Sequence, residues 1–444
     1  MADGARTVAF ATLGCKLNQF ETDSIATRMR RTGYRIVGFD GPADVYVVNT
    51  CTVTNRADRK SRNLFNRAIR RKHPDPGPLL VLTGCFVDHH RDELEADAQT
   101  WILPNDNKQS IPDLVDAHFR GEIIHPSGSV FDFPVPDRVF HTRSTVKIQD
   151  GCDNHCSFCI IPSVRGRAQS RPWKDVTAAV SEALRGGARE IVLTGVNMSR
   201  YRDGEIGFAA LVERCLERGD ATATDYRLRI SSLEPDGLTD RFVRLFNHRS
   251  MAPHLHLCLQ SGSQRMLFAM RRQYNCDEYR RIVADLRAIN PLFNITTDML
   301  VGFPSESDED FARSLAAVEE FNFGHVHTFP YSARTGTRAA RLPDDVRSHE
   351  RSRRAVVMRS AASASQHRYR ERLVGTTQRL LVERVEERGA AFVLHGLGEY
   401  YVPIHVELDR RPEIPAATYE NRFLDARIVT LDPGVDAGLS GVPA

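Results

Sequence analysis

The chain has 444 residues, enough for roughly two to four domains. Hydrophobic residues at 41% and charged residues at 26% exclude a disordered chain, and no apolar run reaches the roughly 18–20 residues that span a bilayer. A formal net charge of +3 excludes a chain-wide basic field, so any nucleic-acid surface must come from clustered charge.

Met1 to Cys15 lacks the charged-then-apolar order of a signal peptide, so a cytoplasmic location with no membrane partner is expected. The nine cysteines, an odd number, speak against a disulfide framework. Cysteines of such a chain that are not core filler tend to bind metal or do chemistry, so their grouping is the informative feature.

Three β-type runs open the chain, Thr7–Leu13, Val45–Asn49 and Leu79–Thr83, separated by helical patterns at Ser24–Arg31 and Arg56–Lys72. This alternation predicts a parallel α/β sheet. A cysteine follows each strand: Cys15 in LGCKLNQ, Cys51 in NTCTVTN and Cys85 in TGCFVD. Strand ends of a parallel sheet share one edge, where open α/β sheets bind ligands, so these three thiols are expected to converge. They could hold zinc or an iron–sulfur cluster, or be separate buried cysteines. The helix after Cys51 carries Arg56, Arg59, Lys60, Arg62, Arg67, Arg70, Arg71 and Lys72 against Asp58, which reads as a solvated face or an RNA-facing one. Residues 1–125 form the expected first domain. The proline-rich stretch that follows reads as a linker over 126–144.

A second domain is expected over 145–372. It opens on Gly151-Cys152-Asp153-Asn154-His155-Cys156-Ser157-Phe158-Cys159, a CxxxCxxC loop. Zinc would want a second cysteine or histidine pair nearby, and a redox dithiol would not need Cys152. Six strand-like runs, Thr145–Gln149, Glu190–Thr194, Tyr226–Ser231, His254–Leu259, Asn294–Met299 and His325–Phe329, alternate with helical patterns and predict a parallel barrel or partial barrel. The cysteine loop, Gly195-Val196-Asn197, Glu234, Gln260-Ser261 and Gly302 all follow strands, and so should gather at the mouth where such barrels bind ligands. Cys215, Cys258 and Cys276 read as structural.

Arg347 to Arg372 reads as a basic helix. Beyond it the period shifts toward two at Gln378–Val385, Ala391–His395, Tyr400–His405 and Arg422–Leu431, which predicts a small β-barrel over 373–435 and a loose tail from Asp432. Tyr400 and Tyr401 could stack on RNA bases or pack in the barrel core.

The two cysteine sets in this order, with TLGCKLNQFETD, NTCTVTNRAD, GCDNHCSFCIIPSVRGRAQSRP, HLCLQSGS, TDMLVGFP and YSARTGT, make the chain resemble the radical S-adenosylmethionine (SAM) methylthiotransferases over nearly its whole length. The opening LGCKLNQFET is most like the branch acting on N6-threonylcarbamoyladenosine-37 of tRNA. The isopentenyladenosine branch opens on GCQMN, and the branch modifying a ribosomal-protein aspartate on GCPKN. Ser305 and Ala168-Gln169 depart from the usual pattern. The resemblance implies an α/β protein with a parallel N-terminal domain, a central partial (β/α)6 TIM-like radical-SAM barrel and a TRAM-like C-terminal β-barrel. It also implies two [4Fe-4S] clusters, one on Cys152, Cys156 and Cys159 and one on Cys15, Cys51 and Cys85, with SAM as cofactor.

By the same resemblance a 5′-deoxyadenosyl radical would take hydrogen from C2 of the adenine, and the second cluster would supply a methylated sulfur. The expected SAM contacts are Gly195, Asn197, Glu234, Gln260, Ser261 and Asp298. Arg165 and Arg167 would meet substrate phosphate or form ion pairs. The implied partners are the tRNA anticodon stem-loop, an electron donor and a sulfur source. The rivals are a methylthiotransferase acting on isopentenyladenosine-37 of tRNA or on a ribosomal-protein aspartate, an RNA-binding protein with structural zinc, and a radical methyltransferase that inserts no sulfur.

Overall fold

A computed structural model describes residues 5–70, 77–137, 142–389, 391–409, 415–432 and 438–444. The first sheet has five parallel strands in the order Arg35–Val37, Thr7–Thr12, Val45–Thr50, Leu79–Gly84, Thr100–Leu103. Val45–Thr50 and Leu79–Gly84 are buried throughout, as central parallel strands covered on both faces must be. Their side chains alternate between two cores. Val45, Val47, Leu79 and Val81 meet Phe20, Ile25 and Met29 of helix Lys16–Arg31. Tyr46, Val48, Leu80 and Leu82 meet Ala68 of helix Asn55–Ile69 and Val87. The two edge strands were not expected from sequence; at three and four residues they are too short to show a period.

Residues 122–137 form no helix or strand, yet they are anchored. Phe131 and Phe133 are buried, Ser127 bonds Ser110, and Asp137 pairs with Arg30 and Arg31.

The middle region builds two parallel sheets. One runs Arg227–Ile230, Glu190–Thr194, Ser144–Lys147, and the other Ser232–Leu233, His254–Leu257, Asn294–Val301, His325–Pro330. Arg227–Ile230 leads directly into Ser232–Leu233, so the sheets form one curved wall. Among the described residues its outer strands, Ser144–Lys147 and His325–Pro330, do not pair with each other, and the barrel is open. Helix Lys16–Arg31 of the first sheet packs against Ser144–Lys147 at this opening. Helix Ser348–Glu371 covers the other edge strand.

The last five strands close a barrel in the order Thr377–Arg388, Ala391–Leu397, Pro403–Asp409, Leu439–Pro443, Phe423–Leu431. The sequence reading of a loose tail from Asp432 is therefore corrected. Leu439–Pro443 pairs parallel to Pro403–Asp409 and antiparallel to Phe423–Leu431, and supplies the strand that removes both free edges. Its small residues Ser440 and Gly441 hid it from a pattern search. The expected strand at Tyr400 begins at Pro403. Tyr400 is buried and accepts a hydrogen bond from Asn290; Tyr401 stacks on His254 at 4.7 Å between ring centroids. Both tyrosines thus join the small barrel to the middle region. Glu190 reinforces that joint. It binds Arg227 and Arg229, which donate onward to the carbonyls of Arg379, Leu397 and Glu399. Among the described residues no helix is long and apolar enough to cross a membrane.

Candidate active site

The CxxxCxxC loop is pinned at both ends. Gln149–Asp150 pairs antiparallel with Gln169–Ser170, and the Cys152 N–H donates to the Gly166 carbonyl at 3.1 Å. Gly151 sits at φ +67°, and a Cβ there would lie 2.0 Å from the Arg167 carbonyl oxygen, so glycine is required. The Gln149 side chain accepts from the N–H groups of Val196 and Asn197 at 3.0 and 2.7 Å, which draws that loop against the cysteines. Asn197 then donates to Cys152 Sγ at 3.6 Å, and Arg272 donates to Cys156 Sγ at 3.2 Å. Burial pushes the Cys159 thiol up to about 12, and neighbouring Cys156 and Cys152 add to the rise.

These three cysteines line a cavity of about 250 Å³. Of the residues expected around SAM, Asn197, Glu234, Gln260 and Asp298 face it. Gln260 adopts φ +67° while its N–H and carbonyl bond Asp298 and Leu300, so a strained residue is held at the cavity wall. Gly195 and Ser261 are not brought to the wall. Gly195 is packed behind it, where a Cβ would meet the Gln149 carbonyl at 3.0 Å, and Ser261 is buried against Ser314 at 3.1 Å. Cys258, read from sequence as structural, instead lines the cavity; Cys215 lies in the core. Sequence reading missed Arg272, which carries no motif signal of its own beyond a basic Arg271-Arg272 pair. Its guanidinium is almost wholly buried and pairs with Glu234.

Cys15, Cys51 and Cys85 end three adjacent strands, as the alternation predicts. A Cβ on Gly14 would lie 3.0 Å from Cys51 Cβ, and one on Gly84 would lie 2.4 Å from the Thr50 carbonyl oxygen. The glycines preceding Cys15 and Cys85 thus let these loops close on Cys51. Asn18 ties them by donating to the carbonyls of Leu13 and Thr50 at 2.8 and 2.9 Å. Burial pushes the Cys51 thiol up to about 11 against a backbone hydrogen bond from Val53, and Cys85 and Cys15 push it further. Cys15 is exposed, while Cys51 and Cys85 are buried.

The two cysteine sets are neighbours, joined through the residues that follow them. Val53 and Thr54, just after Cys51, line the same cavity as Cys152, Cys156 and Cys159. Cys85 packs against Ile160 and Val164, just after Cys159. Arg165 ends that segment and is buried rather than facing substrate. It bonds Glu21 and Asp150 at 3.0 Å and Asn18 at 2.6 Å, while Lys108 and Lys147 pair with Glu21 at 2.6 and 3.0 Å. Burial opposes ionisation of Glu21, but Arg165, Lys108 and Lys147 outweigh it and hold the carboxyl well below its ordinary range. Arg167 is exposed and pairs with Asp153.

The donor set fits anionic sulfur clusters. Buried thiols with raised pKa values need a metal to ionise, and N–H donors from Asn197, Arg272 and Asn105 already point at three of the sulfurs. On the basic helix, Arg56, Arg59, Lys60 and Arg70 are exposed, while Arg62 and Arg67 pair with Glu93 and Asp40. Arg71 and Lys72 lie outside the described residues.

Residues 7–103 match the family described as "Uncharacterized protein family UPF0004", and residues 146–318 match the Radical SAM superfamily. The Threonylcarbamoyladenosine tRNA methylthiotransferase MtaB of Thermotoga maritima is 35% identical over 402 residues, 89% of this chain and 90% of that protein. The chain belongs to the radical SAM methylthiotransferase family. A second relative of this methylthiotransferase, the protein of the same name from Bacillus subtilis, is 36% identical over 77% of this chain and 76% of that protein. The tRNA-2-methylthio-N(6)-dimethylallyladenosine synthase of Ralstonia nicotianae is 32% identical over 96% of each chain. In fold, the methylthiotransferase is similar to the radical SAM methyltransferase TsrM of Kitasatospora setae. The TM-score is 0.52 at 13% identity, covering 74% of this chain and 77% of that one.

Proposed function

We propose that this methylthiotransferase modifies C2 of N6-threonylcarbamoyladenosine-37 in tRNA, using SAM both as methyl donor and as radical source. The observation that carries the reading is that two cysteine trios are neighbours, the segment after Cys51 lining the cavity of the other trio and Cys85 packing against Ile160 and Val164, in a chain with relatives of that activity. Cys152, Cys156 and Cys159 would hold the radical [4Fe-4S] cluster, and Cys15, Cys51 and Cys85 the second one. When bound, these groups supply hydrogen abstraction and sulfur; the protein supplies their setting.

Arg272 and Asn197 present N–H groups to ligand sulfurs from a buried wall. Arg272 and Glu234 stand side by side at the cavity and offer opposite charges to the carboxylate and ammonium of SAM. Asp298 faces the same cavity, and His256 Nε2 lies 3.3 Å from its carboxylate. The buried network around Glu21 ties the helix that follows Cys15 to Lys147 and Arg165, which flank the radical-site cysteines.

The anticodon stem-loop would meet the exposed basic residues of helix Asn55–Ile69, and the small closed barrel would act as a TRAM-like RNA-binding module. An electron donor and a sulfur source complete the cycle, and the cytoplasm, where tRNA is modified, is the fitting compartment. The proposed division is 1–125 for the second-cluster domain, 126–144 for the linker, 145–372 for the radical domain and 373–435 for the small barrel, which the strand at Leu439–Pro443 extends. The dimethylallyladenosine relative makes the isopentenyl nucleoside the second reading. Mass spectrometry of tRNA nucleosides from cells lacking the chain decides between them. Loss of 2-methylthio-N6-threonylcarbamoyladenosine supports the first reading. Loss of the isopentenyl analogue alone supports the second.

A further inference from the structure

Ser157 follows Cys156 in the cysteine loop but does not line the cavity; it is buried behind the loop. Three hydrogen bonds hold it there. Its N–H donates to the Met270 carbonyl at 2.9 Å, its hydroxyl donates to the Ala269 carbonyl at 2.9 Å, and its carbonyl accepts from the Ala339 N–H at 2.7 Å. Met266, Met270 and Ala339 pack into one small core at this place, with Phe158 and Ala269 against it. Helix Gln264–Ala269 and the turn Ala339–Arg341 thus each reach, by one hydrogen bond, the residue next to Cys156.

The outer side of these two segments is open. Phe268 is 82% exposed and Leu342 39%. Arg271, Arg338 and Arg341 are exposed, and among the described residues no carboxylate pairs with any of them. The acids that follow in the chain, Asp344 and Asp345, are engaged by Arg351 and by the Ser305 N–H. Apolar side chains set among unpaired guanidinium groups are the composition of a protein-binding face.

We propose that this face docks an acidic one-electron carrier protein, which delivers the electron for SAM cleavage to the site of Cys152, Cys156 and Cys159. The inference rests on the reading that these cysteines hold the radical cluster. Each cleavage takes one electron. It leaves the carrier, which is oxidised by one unit, passes through the cysteine site and ends on the sulfonium of SAM, whose carbon–sulfur bond breaks to methionine and the 5′-deoxyadenosyl radical. SAM and substrate fill the cavity side of the loop, so a protein donor has to approach from behind, and electron transfer weakens steeply with distance. The Met270–Ser157 hydrogen bond leads from the exposed face to the backbone of Cys156. The unpaired arginines attract an acidic partner and repel a basic one. An RNA would use the arginines but would leave Leu342 without a role.

The test compares two reductants on the cluster-loaded enzyme: reduced flavodoxin, as an acidic carrier protein, and dithionite, which needs no docking face. The variants are Phe268→Ser and Arg338→Glu. Each should slow flavodoxin-driven 5′-deoxyadenosine formation by about tenfold and weaken flavodoxin binding by a similar factor, the loss of one central interface contact. With dithionite both should match wild type. Flavodoxin binding should also weaken as salt rises. Variants that match wild type with flavodoxin overturn the proposal. So do variants that are slowed equally with dithionite, which would mark a structural effect on the site, and variants that lose tRNA affinity while flavodoxin binding is intact, which would mark an RNA face. A wild type that dithionite reduces but flavodoxin neither binds nor reduces overturns the proposal while sparing the radical assignment. A wild type that cleaves SAM with neither reductant overturns both together.

Discussion

Arg272 is the residue on which the cavity's chemistry converges. It donates to Cys156, pairs with Glu234 and lies over the Tyr274 ring at 5.1 Å. Arg272→Gln removes the charge while keeping a donor, and should slow 5′-deoxyadenosine formation by about 100-fold or more, as expected for a charged group lost from a buried site. Iron content measured beside it should stay near wild type; a variant that cleaves SAM at the wild-type rate contradicts the role. The cysteines are readable from sequence because their spacing is local or repeats at strand ends. Arg272 and the Asn18–Glu21 pair are not, since their contacts to Cys156 and Arg165 cross more than 110 residues of chain. Ser261 shows the converse. It sits beside Gln260 in a suggestive loop, yet it is fully buried against Ser314.

At the scale of elements, the cluster loop depends on a backbone that only glycine adopts at position 151. Gly151→Ala should leave the overall fold intact by circular dichroism but abolish loading of the radical site, read as loss of about half the iron per chain, given two four-iron sites. Full iron loading would contradict this. The buried strands Val45–Thr50 and Leu79–Gly84 are legible because parallel strands covered on both faces are unbroken apolar runs. The edge strands Arg35–Val37 and Thr100–Leu103 and the closing strand Leu439–Pro443 are not, because their pairing is set by the neighbouring strand rather than by their own pattern.

The whole molecule is held at two joints of buried charge. Between the middle region and the small barrel, burial opposes ionisation of Glu190, but Arg227 and Arg229 outweigh it and hold the carboxyl well below its ordinary range. Because the folded-state pKa is depressed, the stabilisation is fully present above the ordinary glutamate value and disappears as pH falls through the folded one. Thermal unfolding should therefore be more acid-labile in wild type than in a Glu190→Gln variant. That variant, which leaves two buried guanidinium groups uncompensated, should lose about 3–5 kcal/mol at neutral pH. A flat difference between the two across pH 3–7 would contradict the charge role. The second joint, around Glu21 and Arg165, ties the helix that follows Cys15 to the segment that follows Cys159.

The assignment stands or falls on whether both sites serve one reaction. The most direct measurement is mass spectrometry of tRNA nucleosides from cells lacking the chain and re-expressing either wild type or Cys51→Ala. Sulfur insertion through the second site predicts 2-methylthio-N6-threonylcarbamoyladenosine with wild type and none with Cys51→Ala, although the purified variant still cleaves SAM. Restoration of the methylthio nucleoside by Cys51→Ala would contradict it.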